Sequence, residues 1–282
     1  MERVLIIGGG PAGISASLYT ARAGFEAVVI HNNSSALSKA ELIQNYFGFD
    51  SISGKDLLKN AVNAAEKLGV KFVEDEIVRL EFTDHFVAKS SSNSYESKSM
   101  ILAAGNRRKS PNIPGLKDLK GISYCAICDS FFYRNKTVAV IGFGDYAISE
   151  IETLQQVTKN ILLFTNENEV PKNLPSDIQI FQDKIVAIEG DKRVSSIKLA
   201  NQNVPVDGIF VAYGTAGSLE LAREIGAVLK DGNVAVNDEM MTNIPGLFAA
   251  GDCVGGLLQV SKAVRDGAIA GLNAVKFLRQ QS

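Results

Sequence analysis

The sequence is short of cysteine, of any charge excess and of long apolar runs, and each shortage excludes a class of protein. Three cysteines in 282 residues are too few for the disulfide scaffold of a small secreted domain. Lys and Arg total 29 against 31 Asp and Glu, a net charge of −2. No basic surplus exists to neutralise a phosphate backbone, which excludes nucleic acid as a general partner. No apolar stretch reaches the roughly 18–20 residues of a membrane span, so no membrane partner is expected. The N-terminus carries no cationic segment, long apolar segment and cleavage site, but enters a strand at Val4. We therefore expect a cytoplasmic protein without a signal peptide. What is present is ordinary for folded domains: 46% hydrophobic and 21% charged residues, enough to exclude disorder as the main state. At roughly 100–200 residues per domain, the length predicts two.

One signature occurs twice. Residues 3–7 (Arg-Val-Leu-Ile-Ile) read as a strand, followed by Gly8-Gly9-Gly10-Pro11-Ala12-Gly13 and a helix from about Gly13 to Ala23, with a second strand at 27–30. Glycines at the first, third and sixth positions have separate jobs. The first permits the tight turn, the second lets backbone approach a pyrophosphate, and the third lets helix pack on strand. The phosphates then lie at the positive end of the helix. The alternative is a plain glycine-rich strand-to-helix turn. The acid expected about 20 residues on, at the end of the second strand, is missing: His31-Asn32-Asn33 stands there. Either residue type can hydrogen-bond a ribose hydroxyl, although His31 alone reads as a surface residue.

The second copy has a strand at 137–141, the turn Gly142-Phe143-Gly144-Asp145-Tyr146-Ala147, a helix from Ile148 and a strand at 161–164. Alanine in the third glycine position is an accepted variant. Between and after the copies, residues 70–82 and 85–89 read as a β excursion and 89–99 as a polar hairpin region. Strands are expected at 99–105, 208–214 and 247–252. A closing helix at 258–280 carries Leu272, Val275 and Leu278 on one side. Linkers at 111–115 and 242–246 put residues 1–113 and 244–282 in one discontinuous domain and 114–243 in another. The predicted fold class is α/β, with two doubly wound, Rossmann-like nucleotide-binding domains.

Cys125 and Cys128 lie on the second domain in a CxxC pair followed by Asp129. That spacing serves redox or metal chemistry. Structural zinc takes four N or S ligands, and no second CxxC or CxxH is present, which weighs against a metal. A redox pair closes a small disulfide, reacts as the thiolate, and gains from a nearby carboxyl that protonates the leaving sulfur. Cys253 reads as an inert buried residue.

Several motifs now fall in one order: Gly8 to Gly13; Asn45 within Gln-Asn-Tyr-Phe-Gly; Ala103-Ala104-Gly105; Cys125-Ala-Ile-Cys128-Asp129 with Phe131-Phe132-Tyr133; Gly251-Asp252; Gln259; and Asp266-Gly267-Ala268. With them the chain resembles the low-molecular-weight thioredoxin reductases, FAD flavoproteins that form homodimers, over nearly its whole length. The resemblance implies that Gly8, Gly10, Pro11, Ala12 and Gly13 hold the FAD pyrophosphate and that Asp252, after Gly251, binds the ribityl or phosphate region. It places Asn45, Gln259 and Val260 against the isoalloxazine ring, the backbone near Ile77 at the adenine, and Ala104 and Gly105 in the same cofactor set. It makes Cys125 the thiol that attacks the thioredoxin disulfide, Cys128 the sulfur facing the flavin, and Asp129 the proton handler. A CxxC that meets a buried flavin and also reaches a protein disulfide implies that the small domain rotates about linkers near 113 and 244.

One departure bears on the electron donor. That family's second domain binds NADPH through arginines after the second strand, which grip the 2′-phosphate. Here the stretch is Phe164-Thr165-Asn166-Glu167-Asn168-Glu169, with no cation before Lys172. Carboxylates in place of guanidiniums turn attraction into repulsion, so NADPH in that mode is disfavoured. Two readings remain. Glu167 binds the ribose diol of NADH, or the domain binds no nicotinamide. The second matches the clostridial-type ferredoxin-dependent flavin thioredoxin reductases, which the chain resembles in its short length and missing basic motif. Phe143 and Tyr146 also thicken the pyrophosphate position, and Arg107-Arg108-Lys109 is a basic cluster suited to an acidic ferredoxin. The leading expectation is therefore a ferredoxin-fed thioredoxin reductase, followed by an NADH- or NADPH-fed one. A non-catalytic redox sensor is the third, disfavoured because a sensor needs no Asp129.

Overall fold

The computed structural model describes residues 3–105, 111–214 and 216–281. The chain divides into two compact units, Met1–Arg107 with Gly217–Ser282, and Arg108–Ala216. The first is discontinuous. Its C-terminal part, however, begins at Gly217 rather than near 244. The reason is local packing. The helix Ser218–Glu224 lies against the strand Arg79–Phe82. Its Ser218 hydroxyl accepts the Ala104 N–H at 2.9 Å, and Glu224 accepts the Leu80 N–H at 2.9 Å.

The first unit is built on a five-stranded parallel sheet in the order Leu247–Ala249, Ser99–Leu102, Arg3–Ile7, Glu26–His31 and Lys71–Glu74. Its inner strands are continuous apolar runs because both faces are covered. Strand order reverses beside Arg3–Ile7, where doubly wound sheets open a ligand crevice at the carboxyl ends of the strands. The helix Pro11–Arg22 begins two residues earlier than the sequence suggested, with Pro11 in the first turn, where its missing N–H is harmless. The closing helix runs Val260–Gln280. Val275 and Leu278 are buried, but Leu272 is half exposed, contrary to expectation. The buried face is instead made of small residues, Ala263, Gly267, Ala270, Gly271 and Ala274. A Cβ on Gly267 would sit 2.1 Å from the Ala12 carbonyl oxygen, so the two helices touch backbone to backbone. Residues 70–82 are not one strand: Lys71–Glu74 joins the parallel sheet. Arg79–Phe82 starts an antiparallel hairpin sheet with Phe86–Lys89 and Ser94–Ser97.

The second unit has its own parallel sheet, ordered Gln179–Phe181, Ile161–Phe164, Val138–Phe143, Gly208–Tyr213 and Ile122–Ser123. A small antiparallel sheet, Ala187–Gly190, Val194–Lys198 and Asn203–Pro205, packs Ile188, Val194, Ile197 and Val204 against Ile141, Ile209 and Val211. The central strand runs on through Gly142 and Phe143, and the helix Asp145–Gln155 starts after Gly144 alone. The second glycine turn is thus tighter than the first, and Phe143 is a strand residue rather than a loop residue.

Candidate active site

In the first unit the glycine turn leaves the central strand and enters the helix Pro11–Arg22. A Cβ at Gly13 would lie 1.9 Å from the Gly8 carbonyl oxygen, and one at Gly8 would lie 2.4 Å from that of Ala103. No side chain fits at either position, so backbone closes on backbone. Gly10 caps the helix without a side chain, which leaves the first N–H groups for a ligand anion. The backbone of Ala103 and Ala104 thus lies directly against the turn. His31 lies across Gly9, 3.0 Å from where a Cβ there would stand. Its Nδ1 accepts the Asn33 N–H at 3.3 Å, so the ring is ordered at the end of the second strand.

The other expected residues come from distant parts of the sequence. Gly251–Val254 is a short 3₁₀ turn that sets Asp252, half-buried, beside the glycine turn: a Cβ on Gly251 would meet Ala12 at 2.9 Å. Asp266, missed as a functional position by residue reasoning, holds this turn in place. Buried in the closing helix, it accepts the Gly251 N–H at 3.3 Å and pairs with Lys262 at 2.8 Å. A buried acid on the small-residue face was the available signal. Asn45 Nδ2 donates to Gln259 Oε1 at 3.0 Å, joining two expected flavin neighbours across 214 positions. Val260 follows as the first helical residue. Ile77 is buried in the extended link between two strands.

In the second unit Cys125 and Cys128 form a disulfide. Cys125 caps the one-turn helix Ala126–Asp129 and is only 3% exposed, whereas Cys128 is exposed. Ser123 organises the turn. Its hydroxyl donates to Asp129 Oδ2 at 2.6 Å and accepts the Cys125 N–H at 3.1 Å. The acid is thereby tethered to the cysteine it was expected to serve. Ile127, Phe131 and Phe132 are exposed beside the pair, Phe131 by 70%, and the two rings meet edge to face. Exposed aromatics next to a disulfide offer an apolar surface to a protein partner.

The second crevice differs from the first. At the matching carboxyl ends, Phe143 and Tyr213 are paired across neighbouring strands. Their rings meet edge to face at 4.9 Å. The Tyr213 hydroxyl accepts from Asn168 Nδ2 at 3.0 Å. That amide also donates to the carbonyls of Thr165 and Asn166. Asn166 Oδ1 accepts the Ile185 N–H at 2.8 Å. The side chains of Asn166, Asn168 and Tyr213 are thus hydrogen-bonded within the protein at this end of the sheet. Tyr146 does not thicken the pyrophosphate position as expected. It is buried, with its hydroxyl donating to the Tyr124 carbonyl at 3.3 Å, because the early helix start turns it toward the redox turn. Arg107, Arg108 and Lys109 lie outside the described residues.

Residues 2–267 match the pyridine nucleotide-disulphide oxidoreductase family. The chain belongs to this family. Curated relatives within it include thioredoxin reductases. That of Listeria innocua is 31% identical over 98% of this chain and 94% of its own, and that of Bacillus subtilis is 29% identical over 98% and 95%. Among solved structures, the atypical thioredoxin reductase TRi from Desulfovibrio vulgaris Hildenborough superposes with a TM-score of 0.92 at 33% identity, covering 100% of this chain and 99% of that one. A ferredoxin-flavin thioredoxin reductase from Clostridium acetobutylicum gives 0.72 at 33% identity, covering 99% of each chain.

As a member of the thioredoxin reductase family the protein uses FAD, and the first unit fits that group. The helix start without a side-chain cap would suit the pyrophosphate, and the joined amides of Asn45 and Gln259 would face the polar atoms of the ring. Cys253, beneath the first crevice, is fully buried, its thiol donating to the Ala250 carbonyl at 3.3 Å. Burial pushes it up from 9.0 to about 11. In the folded state the thiol therefore stays protonated where the unfolded chain ionises. Its stabilising effect is full below pH 9 and declines as pH rises to 11, by about 1.4 kcal/mol per unit. After disulfide reduction at pH 8, iodoacetamide is expected to add two groups to the native protein and three in urea, read by mass. Rapid addition of a third to the native protein would contradict this.

Proposed function

We propose that the protein is a cytoplasmic, homodimeric thioredoxin reductase that takes electrons from reduced ferredoxin and not from a nicotinamide. The Phe143–Tyr213–Asn168 arrangement carries this reading. It stands at the crevice where a doubly wound domain holds a dinucleotide, and no cation occupies 165–169 to bind a 2′-phosphate.

FAD supplies the means of taking up electrons singly or in pairs and of delivering two to a disulfide. The chain's residues do the rest. In the reduced enzyme the Cys125 thiolate attacks one sulfur of the thioredoxin disulfide, forming a mixed disulfide and releasing one thioredoxin thiolate. Cys128 then attacks Cys125, which re-forms the Cys125–Cys128 bond and releases the second thiolate. Two electrons pass, and the two released thiolates take up two protons. Asp129, held by Ser123, handles a proton at this turn. Because Cys125 is buried, the redox turn that carries it must come as a whole into reach of a protein disulfide. Phe131 and Phe132 give the partner its apolar footing.

Anaerobic titration of the purified flavoprotein tests the donor. Reduced ferredoxin is expected to bleach the flavin absorbance and then open the disulfide. NADPH is expected to do neither, and NADH to act poorly or not at all. Rapid bleaching by micromolar NADH would overturn the assignment and make exposed Glu167 its ribose ligand.

A further inference from the structure

The helix that opens the second glycine motif grips the peptide on both sides of Cys125. Tyr146 and Glu150 are four residues apart on the helix Asp145–Gln155, so they share a face. Both are buried, 3% and 2% exposed. Tyr146 donates its hydroxyl to the carbonyl of Tyr124, the residue before Cys125, at 3.3 Å. Glu150 Oε2 accepts the N–H of Ala126, the residue after it, at 2.7 Å. A buried carboxylate is costly unless it is hydrogen-bonded, and a backbone donor at the redox turn is one partner of Glu150.

We propose that Tyr146 and Glu150 are positioning residues that hold the Cys125 backbone in its reactive place once the disulfide is open. In the oxidised protein the sulfur–sulfur bond itself constrains residues 125–128. Reduction removes that covalent link, and a one-turn helix has little stability of its own. The two hydrogen bonds from a long, packed helix then keep the turn formed, so that Cys125 meets a disulfide without first paying for reordering. Their influence therefore belongs to the dithiol form. The helix that serves dinucleotide binding in a doubly wound domain serves the redox turn in this chain. The inference rests on reading Cys125 as the attacking thiol.

The test uses the FAD-loaded protein reduced chemically and freed of reductant, with dithionitrobenzoate as a small disulfide, so neither ferredoxin nor thioredoxin enters. Single-turnover rates and amide exchange of the 123–129 segment are compared in both redox states. Glu150→Ala is expected to slow the reaction about tenfold and to speed exchange in the dithiol form only. Glu150→Gln, which keeps an acceptor oxygen, should stay within about threefold of the parent. Tyr146→Phe should slow it about threefold, and Glu152→Gln, exposed on the same helix, should have no effect. An unchanged rate in Glu150→Ala, or equal loosening in both redox states, would overturn the proposal. If Glu150→Ala fails to fold, Tyr146→Phe decides by the same two readouts. A Cys125→Ser protein that still reacts at the parent rate would instead sink the thiol assignment on which the inference stands.

Discussion

Replacing Cys125 or Cys128 by Ser is expected to reduce thioredoxin turnover at least about a thousandfold, the scale of losing a covalent nucleophile. FAD should remain bound in both, because the residues expected to hold the cofactor lie in the first unit and the disulfide in the second. The two variants should nevertheless differ. A Cys128→Ser protein, once reduced, retains the Cys125 thiol and can form the mixed disulfide, but has no second sulfur to release it. A covalent complex with thioredoxin should therefore accumulate and disappear on adding dithiothreitol. Cys125→Ser should trap none. Full turnover by either variant would refute the relay. Trapping by Cys125→Ser alone would reverse the roles given to the two sulfurs.

Gly13→Ala should abolish FAD binding, giving a colourless protein with a lower melting temperature. The added methyl would stand 1.9 Å from the Gly8 carbonyl oxygen. Backbone cannot yield as a flexible side chain does, so the turn must open. Overpacking of this kind costs about 1–3 kcal/mol or more, and the displaced peptides are those expected to face the pyrophosphate. Gly142→Ala is the control. Its methyl would meet the Ala212 carbonyl oxygen at 2.2 Å, an equivalent clash in the second unit. That variant should lose stability yet keep one FAD per chain. A Gly13→Ala protein that purifies yellow, with parental FAD affinity, would remove the first glycine turn from the cofactor site.

The glycine turns, the redox pair and the class of the fold were legible because each rests on short-range pattern. A five-residue apolar strand, glycines at fixed offsets and two cysteines three apart constrain local backbone wherever they occur. The features that bear on the electron donor were legible only in part. Missing cations at 165–169 are visible in sequence, but the edge-to-face contact of Phe143 and Tyr213 joins residues 70 positions apart through strand pairing. Similarly, Leu272 follows the helical period yet faces solvent, because close approach of two helix backbones gives the buried face to glycine and alanine.

By itself, then, the sequence determined two doubly wound units, a glycine turn between strand and helix and a CxxC–Asp, since strand, turn and helix propensities act over a few residues. Tertiary structure alone decided where the first unit resumes, that Asn45 meets Gln259, and that Asp266 steadies the turn bearing Asp252. It also turned Tyr146 and Glu150 toward Cys125 rather than toward a ligand. Those outcomes depend on which surfaces of separate elements bury each other, and burial is a property of the packed chain rather than of any short segment of it.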